Sequence, residues 1–167
     1  MDISAFIQSL AISALPIIFA ITLHEAAHGY VARLFGDPTA WMLGRISANP
    51  LRHIDPVGTL LVPAIIVFTS YVALDSVFIF GWAKPVPVNF GRLRNPKRDM
   101  LWVAGAGPAA NLAMALLWAL VFKLVTLMPF HEYSLALAEM ARIGISVNIG
   151  LMVLNLLPLP PLDGGRI

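Results

Sequence analysis

The sequence predicts an all-α, polytopic membrane protein, with about three to four transmembrane helices, a re-entrant or shallow segment and a short β-hairpin at the membrane surface. Three observations predict it. Of 167 residues, 59% are hydrophobic and only 12% charged, against about 45–50% and about 25% in an ordinary soluble domain. Mean hydropathy is +0.81. Residues 3–23, 57–74, 101–122 and 143–162 each lack any charged side chain, and each is near the ~20 residues that carry a helix across ~30 Å of hydrocarbon.

Composition also excludes several classes. With no cysteine, there is no disulfide scaffold, thiolate metal site or cysteine nucleophile, so any chemistry must use oxygen and imidazole. The net charge is only +2, which argues against a nucleic-acid partner and leaves the lipid bilayer as the expected surroundings. No repeat or linker divides the chain, and residues 1–167 read as a single membrane domain.

The first apolar stretch has no basic n-region and continues into the polar residues His24, Glu25 and His28, so it reads as a retained span kinked at Pro16 and not as a cleaved signal. The polar segment 36–56 contains the turn signals GDPTA, NP and DP. Residues 81–99 hold Lys84, Arg92, Arg94, Lys97 and Arg98, which places that loop on the cytoplasmic side by the positive-inside rule. Arg33, Arg45 and Arg52 put the preceding polar segment on the same side. Two basic loops on one side cannot be joined by a single crossing, so residues 57–80 are expected to return through a re-entrant or shallow hairpin turned near Pro63, Thr69, Ser70 and Asp75; one tilted span is the alternative. In GWAKPVPVN, Pro85 and Pro87 forbid a helix and confine a strand to an edge, hence the predicted hairpin.

The third stretch carries Gly105, Gly107 and Asn111, and the fourth carries Asn148. The glycines read as allowing close helix packing, and the two amides as interhelical hydrogen-bonding groups. The connection 128–134 has neither Lys nor Arg and should face outside. The fourth stretch then returns the chain to the cytoplasmic side, ending in LPLPPLDGG.

The residues that carry chemistry begin with His24-Glu25-Ala26-Ala27-His28, an HExxH. Histidines at i and i+4 share one helical face and can bind one zinc, while the intervening glutamate can act as general base toward the water on that metal. A catalytic zinc site takes three protein ligands, so one more is needed. Asp163 is the candidate that chain parity favours; His53 and Asp55 compete with it, and His131 falls on the opposite side.

Together these residues resemble the site-2 protease family of intramembrane zinc metalloproteases, over essentially the whole chain and most closely the small prokaryotic members without a PDZ or CBS domain. The matching pieces are HEAAHGYVARLFGDPTA, GRISANPLRHIDPVGT, GWAKPVPVN, AGPAAN and NLLPLPPLDGG. The resemblance implies that His24, His28 and Asp163 bind one Zn2+ and that Glu25 activates the water. It further implies that Asn155 holds substrate backbone, and that GWAKPVPVN offers an edge to an extended substrate. The implied reaction is hydrolysis of peptide bonds in transmembrane protein or peptide substrates, in a multi-pass protein of the cell membrane with its active site toward the cytoplasm. The chain ends at Ile167, whereas relatives continue into a further span, so a C-terminally truncated domain is expected. The alternative function is a non-proteolytic membrane zinc-binding or transport protein.

Overall fold

The computed structural model describes residues 3–74, 82–129 and 131–166. Three long helices carry the architecture: α1 (Ile3–Leu34), α4 (Pro96–Thr126) and α5 (Glu132–Asn155). Between α1 and α4 lie the one-turn α2 (Thr39–Met42), a 3-10 turn at Pro50–Arg52, a π-turn at Pro56–Leu61 and α3 (Val62–Leu74), into which the π-turn runs directly. Helices α1, α4 and α5 pack against one another in all three pairings. They are long and apolar enough to cross a membrane, over Leu10–Leu34, Pro96–Thr126 and Tyr133–Asn155. Helix α3, at 13 residues, rises about 20 Å and is too short to do so alone.

The bundle is inverted relative to a soluble one. Leu116, Leu117, Leu120 and Leu124 of α4 are exposed, whereas His24, His28, Asn111, Asn148 and Asp163 are buried. Large apolar residues outside and polar ones within suit lipid surroundings. Along the inner face of α1, Ala20, His24, His28 and Ala32 recur every four residues, and both alanines are fully buried. On α4 the facing row is Val103, Gly107 and Asn111. Asn111 meets Ala20 and His24, and Val103 meets His28, so α1 and α4 run antiparallel. The short turn after Thr126 makes α5 antiparallel to α4 and brings its C-terminal end to the level of the two histidines. Gly144 lets α5 pass over the Trp118 indole, since a Cβ there would lie 2.4 Å from the ring.

Three expectations need correction. Among the described residues there is no strand, and the expected β-hairpin at GWAKPVPVN is an extended strap over residues 82–89; Gly81 lies outside the described residues. The reason is where its N–H groups go. Trp82 donates to Gly58 O (3.0 Å), Lys84 to His53 O (2.9 Å), Val86 to Glu25 Oε2 (2.7 Å) and Asn89 to Asp37 Oδ2 (2.6 Å), while Pro85 and Pro87 have none to give. A strand ladder would need those same donors.

The fourth apolar stretch is also shifted: α5 covers Glu132–Asn155 and not residues 143–162. Its outer end accommodates charge because Glu139 and Arg142 are exposed and lie 3.8 Å apart across one turn, and Pro158, Pro160 and Pro161 prevent its continuation. As for residues 57–80, the Trp82 N–H on Gly58 O and the Thr59 hydroxyl on Trp82 O (2.8 Å) bring the chain back beside the π-turn that begins α3. The expected turn is not at Pro63, Thr69 or Ser70, through which α3 runs as one continuous helix; Asp75 lies outside the described residues.

Candidate metal centre

Helix α1 supplies two imidazoles from successive turns. Their Nε2 atoms are 3.1 Å apart, and each lies 3.1 Å from Asp163 Oδ2. Asp163 heads a 3-10 turn (Asp163–Arg166) that lies against α4. The two glycines after it allow the chain to fold back on itself. A Cβ at Gly164 would lie 2.4 Å from Leu157 O, and one at Gly165 2.7 Å from the Leu159 carbonyl carbon. Here the absence of side chains is a requirement of close backbone approach.

Helix α4 contributes space and orientation. A Cβ at Gly107 would stand 2.4 Å from His28 Nε2 and 2.5 Å from His24 Cε1. Only glycine leaves room there for both rings. One turn to either side, Val103 O lies 2.7 Å from His28 Nδ1 and Asn111 Oδ1 lies 2.5 Å from His24 Nδ1. A carbonyl only accepts, so Nδ1 of His28 carries a proton, and in the neutral imidazole the lone pair then lies on Nε2.

The donor set fits a divalent metal. Asp163 Oδ2 is buried and accepts no hydrogen bond, although two ring nitrogens are close by. The 3.1 Å separations are near the edge of a tetrahedron, about 3.3 Å, formed by ligands about 2.0–2.1 Å from zinc. Among the described residues, His24, His28 and Asp163 form a group of possible ligands with donor atoms within 4.8 Å of one another.

The competitors are placed elsewhere. Asp55 caps the π-turn, accepting from the Val57 and Gly58 N–H groups at 2.9 and 2.8 Å. His53 is buried with Nε2 3.0 Å from Ser47 O, and His131 caps α5. Asn155 is half-buried at the end of α5, where its amide donates to Leu151 O at 3.0 Å. Glu25, beside His24, accepts the Val86 N–H. Sequence reasoning gave Asn111 an interhelical bond without identifying His24 as the partner. It likewise read Gly107 as a packing glycine without seeing that the packed groups are the imidazoles, while Gly105 faces open space. The signal was available in the four-residue spacing of Val103, Gly107 and Asn111, which matches that of His24 and His28.

A family model described as Peptidase family M50 matches residues 12–139. "Putative zinc metalloprotease YwhC" of Bacillus subtilis is 40% identical over 157 residues, covering 90% of this chain and 64% of its own length. "Putative zinc metalloprotease Rip2" of Mycolicibacterium smegmatis is 30% identical over 147 residues (88% of this chain), and its Mycobacterium tuberculosis namesake is 32% identical over 146 residues (87% of this chain). The chain spans about half the length of the two Rip2 proteins, 52% and 51%. No solved structure matches the chain significantly. With the family match covering most of the chain and including both histidines of the HEAAH, the protein belongs to peptidase family M50, the site-2 protease family.

Proposed function

We propose that this chain forms the catalytic domain of an intramembrane zinc protease that hydrolyses peptide bonds of membrane-embedded substrates. The observation that carries the reading is the buried triangle of His24 Nε2, His28 Nε2 and Asp163 Oδ2, 3.1 Å on each side. These three residues would hold the metal. Zinc supplies a more acidic water and a polarised scissile carbonyl when bound.

The remaining work falls to the protein. Glu25, one residue along α1 from His24, is the general base: the Val86 N–H holds Oε2 at 2.7 Å, leaving Oε1 to take a proton from water and return it to the leaving amine. The Gly107 hydrogen keeps the space beside both imidazoles open. Substrate helices must unwind locally to expose a carbonyl, and Asn155, with one oxygen still able to accept, would bind the unwound backbone. The return of the chain from α3 to the π-turn supports a re-entrant segment at 57–80. That in turn supports a site on the cytoplasmic side, since α1, α4 and α5 then bring the basic loops to the same end as the histidines.

The test uses the purified 167-residue chain in proteoliposomes with a single-span model substrate carrying a helix-breaking Asn-Pro pair. Glu25→Gln is expected to abolish cleavage and keep near-stoichiometric zinc, while Asp163→Ala loses both. Undiminished cleavage by Glu25→Gln would remove the general-base role, and full zinc retention in Asp163→Ala would remove the third ligand.

A further inference from the structure

We infer that Asn148, on α5, is a positioning residue that sets the tautomer of His24 through Asn111, so that metal affinity depends on a side chain hydrogen-bonded to neither imidazole. The inference rests on the reading that His24, His28 and Asp163 hold a divalent metal.

The argument starts from the one group whose polarity is not negotiable. Gly144 O is a backbone carbonyl and can only accept. Asn148, one turn along α5 and fully buried, lies with its amide nitrogen 2.8 Å from that oxygen, so it must present NH2 there. Its carbonyl oxygen consequently faces Asn111, whose Nδ2 is 2.9 Å away. Asn111, also fully buried, must therefore donate to α5, and the same NH2 group points to Ala20 O at 3.4 Å. What Asn111 has left for His24 is its oxygen, 2.5 Å from Nδ1. An oxygen there demands a protonated Nδ1, and a neutral imidazole protonated at Nδ1 has its lone pair on Nε2, facing His28 and Asp163.

Reversing the tautomer would reverse every link. If Nδ1 were bare, Asn111 would have to turn its NH2 toward His24 and its oxygen toward Asn148 Oδ1. Asn148 would then set oxygen against oxygen or rotate and face Gly144 O with its own carbonyl. Buried acceptors left facing one another are costly in an apolar interior. His28 needs no such chain, because Val103 O sets its polarity directly. The two ligands are thus oriented by different means, one by a backbone atom of α4 and the other by a relay that begins on α5.

The test is zinc affinity of the full chain in detergent, measured by chelator competition, with melting of the metal-free protein recorded alongside. Asn148→Leu removes the acceptor that orients Asn111 and leaves only the 3.4 Å contact to Ala20 O; affinity is expected to fall at least about 10-fold, the range for partners behind a metal ligand. Asn148→Asp, which as the neutral acid can donate to Gly144 O and keep an oxygen toward Asn111, should stay near wild type. Asn111→Leu with Asn148→Leu should bind no more weakly than Asn111→Leu alone, since both act through one imidazole. If Asn148→Leu does not fold, Asn148→Ala, which adds no bulk, takes its place. Equal losses in the Leu and Asp variants, full additivity, or no loss in either would overturn the relay. Absence of His24-dependent zinc binding in the wild type would overturn the metal reading itself and the relay with it.

Discussion

Two glycines of this protein face side-chain rings at almost the same distance and belong to different mechanical worlds. A Cβ at Gly107 would come within 2.4 Å of His28 Nε2, and one at Gly58 within 2.2 Å of Trp82 Nε1. At Gly107 the rings have little room: His24 and His28 are buried, tied at Nδ1 to Asn111 and Val103, with Asp163 Oδ2 3.1 Å from each Nε2. At Gly58 the indole belongs to the strap over residues 82–89 and is about half exposed, at 47%. Steric overlap alone says little. What decides its cost is whether the neighbour has somewhere to go.

The largest expected effect breaks the rigid side of that comparison. Gly107→Ala should eliminate bound zinc, measured per chain by atomic absorption, and with it all proteolysis. Gly105→Ala, two residues away and facing open space, should leave zinc content unchanged. Zinc retained in Gly107→Ala would show that the imidazoles yield after all.

The next effect concerns how the strap is fastened. Asp37 is fully buried and accepts hydrogen bonds from the Thr39 N–H (3.0 Å), the Thr39 hydroxyl (2.5 Å) and the Asn89 N–H (2.6 Å). Burial pushes its carboxyl up; these donors, with Arg92 beyond them, outweigh burial and hold it below the ordinary carboxylate range. A group with a depressed native value stabilises fully above its unfolded value, about 3.9, and the contribution disappears as pH falls through the native one. Amide hydrogen exchange at Asn89 should therefore stay slow from neutral pH down to about 4, once corrected for intrinsic rates, and quicken below. Asp37→Asn should exchange quickly throughout and show no such transition.

The smallest effect sharpens the comparison from its compliant side. Gly58→Ala should displace the Trp82 ring toward solvent, giving a red shift in its fluorescence while zinc content remains that of the wild type. A loss of zinc in this variant would mean that strap and site are mechanically one.

How much of this was legible in the sequence follows the same division. The histidine pair and the distant aspartate could be read because their chemistry is scarce here: four histidines and no cysteine leave few ways to bind a metal. The helices α1 and α4 were legible from unbroken apolar runs. The outer end of α5 was not, because Glu139 and Arg142 interrupt the apolar run while exposed on a helix. The strap was misjudged for a different reason. Alternating prolines correctly excluded a helix, but the partners of Lys84, Val86 and Asn89 are His53, Glu25 and Asp37, all distant in sequence, and no local pattern distinguishes a strand bonded to a neighbour from one bonded to three unrelated elements. Asn111 and Asn148 were seen as polar groups needing partners, but that Asn148 bonds back to Gly144 O within α5 and so turns its oxygen to Asn111 is visible only once α4 and α5 are placed together.

One feature of the cluster bears on how the protein is made. His24 and His28 lie near the beginning of the chain and Asp163 beyond the last long helix, so the triangle closes a loop of more than a hundred residues. During synthesis the histidines precede their third partner and wait through the making of α3, α4 and α5 before it emerges. The cluster therefore forms only after α4 and α5 have been made. It cannot exist in a nascent chain whose α5 is still within the ribosome, and a chain stopped short of Asp163 would hold the two histidines without their third partner.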